Sequence, residues 1–318
     1  MGIPQNIKIM KVLVVGSNGF LGKHVKILLE KENKYNVLEI TGKEQVDITQ
    51  YHSLSKYLEE NKPDIIINCA AFVGGISYGY KYPAKLLYEN SIMAINLYRA
   101  SAEHNIEKLI NPISNCAYPE NLTTYKEENF FNGPPDKSVY NYGISKRLFV
   151  QLGASFYDEK NFSSVNVVFS NMYGPHDHFD IERSHALGAI IKKVFDAEKE
   201  NTKKVTIWGT GKPIREWLYV QDGAEALVRS INLESGHHFF NVGVEKGISI
   251  IDLAEIIKEK FGWNGEFDLD ITKPDGAAEK KVDGNLGAIK LGWTPVTNLN
   301  DGVQNTINWF INHYNQPK

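Results

Sequence analysis

Lys8-Ile-Met-Lys-Val-Leu-Val-Val15, Gly16-Ser-Asn-Gly-Phe-Leu-Gly22 and the helix-like run from Phe20 to Glu32 decide the fold. The first stretch is β-rich and stops at Gly16. Leu21, Val25, Leu28 and Leu29 then recur at helical spacing. Three glycines at intervals of three fill the junction. Glycine lets the backbone turn tightly and approach a pyrophosphate, and the helix N-terminus that follows offers unpaired N–H groups to the anion. Any closely packed βα turn can use the same glycines. Their place at the first strand–helix junction favours a dinucleotide, held by Gly16, Ser17, Asn18, Gly19, Phe20, Leu21 and Gly22.

Outward from this junction, Val37–Ile40, Asp64–Asn68 and Lys108–Pro112 read as strands, alternating with helices at Tyr51–Glu60 and Ala84–His104. The isoleucine run before Asn68 suits a sheet buried on both faces. This alternation predicts an α/β fold with a doubly wound parallel sheet. Beyond Asn171 the pattern loosens. A strand at Lys204–Trp208, a turn through Gly209–Pro213, helices at Asp222–Ile231 and Ile250–Phe261 and a strand at Phe239–Val242 suggest a smaller α/β substrate-binding region. The expected division is 1–172 for the dinucleotide, with about 216–240 returning to it, and 173–318 mainly for substrate.

With 318 residues, 42% apolar, and a net charge of −3, the chain has no basic excess for binding nucleic acid. Its longest nearly apolar run, Ile65–Val73, is nine residues and falls short of a bilayer span. Lys8 and Lys11 precede no small-residue cleavage site, and Asn6 stands where a myristoylation pattern has Ser or Thr. Two cysteines make neither a disulfide framework nor a metal cluster. A cytoplasmic, metal-free protein is expected.

After the second strand come Thr41-Gly-Lys43, with no acid at the strand end. Lys43 suits a 2′-phosphate and favours NADP, whereas Glu39 is the competing acceptor for a 2′-hydroxyl. Asp47 and Ile48 are expected around the adenine. Ala70 and Ala71 follow Asn68-Cys69 with small side chains where backbone must approach the cofactor.

Tyr142 and Lys146 stand four residues apart, on one face of a helix, with Ser114 upstream. Delivering hydride to a carbonyl needs an acid for the nascent alkoxide. A tyrosine serves if a neighbouring ammonium lowers its pKa while a hydroxyl holds the substrate oxygen.

At these residues the chain resembles the extended short-chain dehydrogenase/reductase superfamily, with its Rossmann-type sheet, and within it the GDP-L-fucose synthase family. The likeness covers nearly the whole length. It is carried by Val73-Gly-Gly-Ile76, Tyr82-Pro-Ala84, Ser114-Asn-Cys-Ala-Tyr-Pro119, Tyr142-x-x-x-Lys146, Asn171-Met-Tyr-Gly-Pro-His-Asp177, Ser184-His185, Trp208-Gly-Thr-Gly-Lys-Pro-Ile-Arg-Glu216 and Lys273-Pro-Asp-Gly276. The resemblance implies an NADPH-dependent oxidoreductase and isomerase acting on GDP-4-keto-6-deoxy-mannose, with epimerisation at C3 and C5 through enediolates and then reduction at C4. Cys116 and His185 match the epimerisation base and acid, and Ser114, Tyr142 and Lys146 the reduction machinery. It further implies Asn171, Lys193, Trp208, Arg215, Asp275 and Lys280 around the nucleotide sugar, and Asn171, His185 and Lys146 beside the cofactor. Ala84–His104 and Tyr142–Tyr157 resemble the helices through which the superfamily forms homodimers.

Some positions depart from the family pattern: Asn115 for a second Ser, Lys193 for Arg, Glu279 for a basic residue, and the segments Ser138–Asn141 and Phe179–Arg183. These changes are expected around the sugar. Asn115-Cys116 replaces the Asp-Glu pair of the related 4,6-dehydratases, which argues against elimination. A C4 reductase of a pre-epimerised GDP-4-keto hexose or heptose is the nearest competitor. A non-catalytic NADP sensor is more remote, because the Tyr142/Lys146 pair is intact. Cys69 reads as a small buried packing residue.

Overall fold

A computed structural model describes residues 9–314 apart from 75, 181–182, 274 and 276. The opening of the first expected strand at Lys8, Asn6 of the myristoylation pattern, and parts of the expected motifs (Gly75, Ile181, Glu182, Pro274, Gly276) lie outside the described residues.

The first half of the chain winds strand and helix in turn: β1 (Met10–Val15), α1 (Phe20–Lys31), β2 (Tyr35–Ile40), α2 (Tyr51–Asn61), β3 (Ile65–Asn68), α3 (Ile76–Lys81), α4 (Pro83–Glu103) and β4 (Lys108–Ser114). A short β5 (Thr124–Tyr125) precedes α5 (Tyr140–Lys160) and β6 (Ser164–Phe169). The second half runs β7 (Asn171–Tyr173), α6 (Ala186–Lys199), β8 (Lys204–Trp208), β9 (Ile214–Tyr219), α7 (Val220–Arg229), β10 (His237–Val242), β11 (Gly247–Ser249), α8 (Ile250–Phe261), β12 (Glu266–Asp270), β13 (Glu279–Val282), α9 (Asn285–Leu291) and α10 (Leu299–Tyr314).

The main sheet has the order β10-β6-β4-β3-β1-β2, and its strands pair in parallel. Parallel strands joined by crossovers need helices on both faces, so their residues are apolar on both sides. Val12–Val15 and Ile65–Ile67 are accordingly buried throughout. One face packs with α4 and α5 residues such as Leu97, Tyr98 and Phe149. The other packs with α1 and α7 through Val25, Leu29, Ala224 and Leu227. Strand order reverses between β1 and β3, and ligands of doubly wound sheets lie beyond the strand ends at such a reversal.

The chain reaches the second sheet, β11-β9-β13-β5 with β7 beside β9, and returns to the first through α7 and β10. The returning segment therefore starts at Val220, since β9 itself belongs to the second sheet. A third core gathers α6, α8 and α10 around Phe179, Ile191, Leu253 and Phe310. Phe179, expected beside the sugar, is buried there against Phe310 at a ring separation of 4.6 Å. That side of the departure from the family pattern is core packing.

Candidate active site

The glycine turn has the shape a dinucleotide requires. Gly16 adopts φ +77°, and a Cβ there would lie 2.9 Å from the Ala70 nitrogen, where β1 and β3 diverge. A Cβ on Gly22 would lie 2.1 Å from the Gly16 carbonyl oxygen, so α1 meets the turn only through glycine. Gly19 caps α1 without a side chain, which leaves its first N–H groups open. Ser17 is buried beneath the turn. Past β2, Thr41 bonds Gln45, while Lys43 extends into solvent with its Nζ 3.4 Å from Asp47 and 3.9 Å from Glu89. Glu39, the competing acceptor, is held by Lys26 at 2.7 Å. Asp47 caps Thr49, and Ile48 is buried with its carbonyl bonded by Asn96.

The catalytic candidates meet where β4 ends against α5. Ser114 closes β4, and its Oγ accepts the Cys116 N–H at 3.2 Å, which starts a short 3₁₀ turn over Asn115–Ala117. Gly143 admits that turn: a Cβ there would lie 2.7 Å from the Cys116 carbonyl oxygen. Arg147 Nε then bonds the Ala117 carbonyl at 2.7 Å. Ser114, Cys116 and Tyr142 are thus fixed relative to one another by backbone contacts. Asn115 is buried, and its amide nitrogen has no partner among the described residues.

Lys146 is 3% exposed, and its Nζ donates to the Pro112 carbonyl at 3.0 Å. Burial lowers its pKa to about 8. This ammonium does not bring the Tyr142 phenol below its ordinary range. Burial first, and the nearby Cys116 sulfur second, hold Tyr142 above the ordinary tyrosine range. A protonated phenol is the form that donates. Cys69 is half-buried instead of fully buried, and burial pushes its thiol up to about 12.

Beyond Cys116 lies a charged wall built by β9 and β13. Lys280 and Arg215 are cross-strand partners. Asp136 is held below its ordinary value because bonds from Ser138 and the charges of Lys280 and Arg215 outweigh its burial. Burial lowers the pKa of Arg215, while Tyr125, Cys116, Asp136 and Asp275 favour its charge. Asp275 accepts the Thr210 N–H at 2.6 Å and the Thr210 hydroxyl at 2.7 Å, closing the turn after β8. At the rim Trp208 is 60% exposed, with Lys193 and Lys273 ammoniums 5.7 and 5.5 Å from its ring centre. Lys193 also bonds the Thr206 carbonyl.

Asn171 is half-buried at the start of β7. His185 is the N-cap of α6, open to solvent yet lowered in pKa by the surrounding chain and by His178. Sequence reasoning gave no role to Asp136, Tyr125 or Asp177. Burial raises Asp177 to about 7, against the bond it accepts from the His178 N–H. The signals present were the Pro134-Pro135-Asp136 turn and the place of Asp177 just after Pro175-His176.

A glycine cradle at the switch point and a Tyr/Lys pair at the strand ends define a dehydrogenase of the extended short-chain type. The chain belongs to the NAD dependent epimerase/dehydratase family, whose pattern matches residues 12–243, and within it to the GDP-L-fucose synthase family. It is 31% identical over 305 residues to GDP-L-fucose synthase 1 of Arabidopsis thaliana, covering 96% of this chain and 94% of that protein. It is 31% identical over 309 residues to GDP-L-colitose synthase of Yersinia pseudotuberculosis, with 96% and 99% covered. Among solved structures, a gdp-l-fucose synthetase from Naegleria fowleri bound to NADP superposes with a TM-score of 0.87 at 26% identity, covering 99% of this chain and 95% of that one.

Proposed function

We propose that the protein is an NADPH-dependent reductase of a GDP-4-keto-6-deoxy sugar at C4, and that it first epimerises C3 and C5. The observation that carries this reading is the seat of Cys116: its N–H donates to Ser114 Oγ at 3.2 Å, and its carbonyl lies against Gly143, the residue after Tyr142 on α5. A thiol suited to enolising a ketone is thus held beside Ser114 and the first turn of α5, which carries Tyr142.

The cradle at Gly16, Gly19 and Gly22, where added Cβ atoms meet backbone, fits a dinucleotide; we assign the exposed Lys43 to its 2′-phosphate and the buried Lys146 to its nicotinamide ribose. When bound, NADPH supplies the hydride for C4. Cys116 and His185 are assigned the two proton transfers of epimerisation: one removes the acidic proton α to the ketone, and the other returns a proton to the opposite ring face. Ser114 holds the C4 oxygen, and the Tyr142 hydroxyl gives its proton to the alkoxide. Lys146, charged below about pH 8, stabilises the tyrosinate left behind. Arg215 supplies a fork of donors and Lys280 a point charge for the pyrophosphate. Trp208 offers an exposed ring to the base, with Asn171, Lys193 and Asp275 completing the GDP-sugar side.

The division into an NADP-binding part, 1–172 with about 216–240, and a GDP-sugar part, 173–318, is supported by the main sheet, which carries the glycine cradle and β10, and by the second sheet, which carries Arg215 and Lys280; β5, β7 and β9 cross this division. A homodimer through α4 and α5 is supported by Tyr88, Ile95, Tyr140 and Tyr157, which these packed helices leave exposed. Sedimentation as a monomer at micromolar concentration counts against it. We assign the protein to the cytoplasm. No helix among the described residues is long and apolar enough to cross a membrane.

A C4 reductase acting on a pre-epimerised GDP-4-keto hexose or heptose is the second reading. It is favoured by one observation: His185 stands exposed at the N-cap of α6, whereas Cys116 is seated on the turn packed against α5. Incubation with NADPH and GDP-4-keto-6-deoxy-mannose tests the main reading. Loss of NADPH absorbance with formation of a 6-deoxy-L-hexose product supports it. NADPH consumption only with a pre-epimerised ketone selects the reductase, and none with any GDP-4-keto sugar contradicts both.

A further inference from the structure

Glu216 follows Arg215 on β9, and successive strand residues point to opposite faces of a sheet. Arg215 lies on the face whose charges include Asp136 and Lys280. Glu216 is 0% exposed on the other face. One of its oxygens accepts the N–H groups of Val244 and, at 3.2 Å, Glu245, both in the loop after β10. The other accepts the Val282 N–H of β13 at 2.7 Å. A single buried carboxylate therefore joins β9, the end of the main sheet's β10 and β13. Gly243 makes room for it, since a Cβ there would lie 2.4 Å from Glu216 Oε1. Buried N–H groups that lose their acceptor are costly, so this clamp is stiff.

Val282 is two residues from Lys280, and Lys280 pairs with Arg215. The register that sets the two cations side by side thus ends on the Glu216 bond. We propose that Glu216 is a positioning residue for the substrate's nucleoside diphosphate: it locks β13 to β9 so that Arg215 and Lys280 form one pyrophosphate site. This inference rests on the GDP-sugar reading above. The dinucleotide cradle lies at β1 and β3, separated from the edge strand β10 by β6 and β4, so its affinity is expected to be independent of the clamp.

Titration calorimetry of the full chain with GDP and, separately, with NADP tests this. Glu216→Gln keeps the volume but turns an amide N–H toward a backbone N–H. GDP affinity is expected to fall by about tenfold or more, the scale of one unmet buried hydrogen bond, with NADP affinity unchanged. Gly243→Ala, which crowds Glu216 Oε1 without removing it, is expected to give a smaller loss in the same direction and serves if the first variant does not fold. Unchanged GDP affinity in a folded variant overturns the inference. Parallel loss of both ligands also overturns it, as that marks a merely structural role. Failure of the wild-type protein to bind GDP overturns the GDP-sugar reading itself and this inference with it.

Discussion

The Lys146 ammonium lies 3.0 Å from the Pro112 carbonyl oxygen and 5.7 Å from the centre of the Tyr142 ring. One buried cation thereby ties β4, which carries Ser114, to the first turns of α5, which carry the phenol. The candidate active site is held together by this tie and by the glycine contact that seats Cys116 against the same helix.

Tyr142→Phe removes the proton donor and little volume. Reduction is expected to fall by about 10²–10⁴-fold with NADPH affinity retained. Single-turnover kinetics, which isolate the chemical step, check this; retention of more than half the wild-type rate contradicts the assignment.

Lys146 loses its proton near pH 8 in the free protein because burial disfavours the charge. In the proposed role the ammonium is the form that binds the ribose, so NADPH affinity is expected to weaken as pH rises through about 8. Lys146→Met should bind NADPH more weakly and show a flat profile over that range. Fluorescence titrations of both proteins from pH 7 to 9 measure the difference.

A Cβ on Gly22 meets the Gly16 carbonyl oxygen at 2.1 Å, a backbone atom that cannot rotate away. Gly22→Ala is therefore expected to push α1 off the turn, lower the melting temperature and abolish measurable NADPH binding. Normal affinity would show that the cradle is not the cofactor site.

His176 adopts φ +69°, and its ring lies 5.7 Å from His24 and 4.7 Å from Trp309. Burial first, then the charges of Lys23, His24 and His313, lower its pKa to about 4 from an ordinary 6.5. The unfolded chain binds the extra proton between these values, so this group's stability contribution is full above pH 6.5 and is lost as pH falls toward 4. Asp177, raised to about 7, has the opposite sign over the same window, so wild type and variant must be compared. His176→Asn tolerates the left-handed backbone and is expected to lose less stability than wild type between pH 6.5 and 4 in urea titrations.

The main sheet was legible because its signals are local: a glycine-punctuated βα turn, isoleucine runs, and helical spacing in Ala84–His104, which forms α4 one residue earlier. The Tyr142/Lys146 pair was legible because helix geometry fixes four-residue spacing. What sequence hid depends on distant contacts. Glu216 reads as an ordinary charged strand residue until β13 and the loop after β10 close over it. Trp208 could have been core, and only the fold leaves it exposed. Burial likewise set the protonation of Tyr142 against the direction that an adjacent lysine suggests.

In the proposed reaction, Cys116 and His185 exchange protons α to the ketone before Tyr142 completes the reduction. The most direct measurement incubates the protein with GDP-4-keto-6-deoxy-mannose in D₂O without NADPH and follows deuterium at C3 and C5 by mass spectrometry and NMR. Deuterium is expected at C3, C5 or both, with that exchange suppressed in Cys116→Ser, because a serine hydroxyl is a far poorer base than a thiolate. Absence of exchange in a wild-type protein that reduces the same ketone contradicts it, leaving Cys116 and His185 as positioning residues in a C4 reductase.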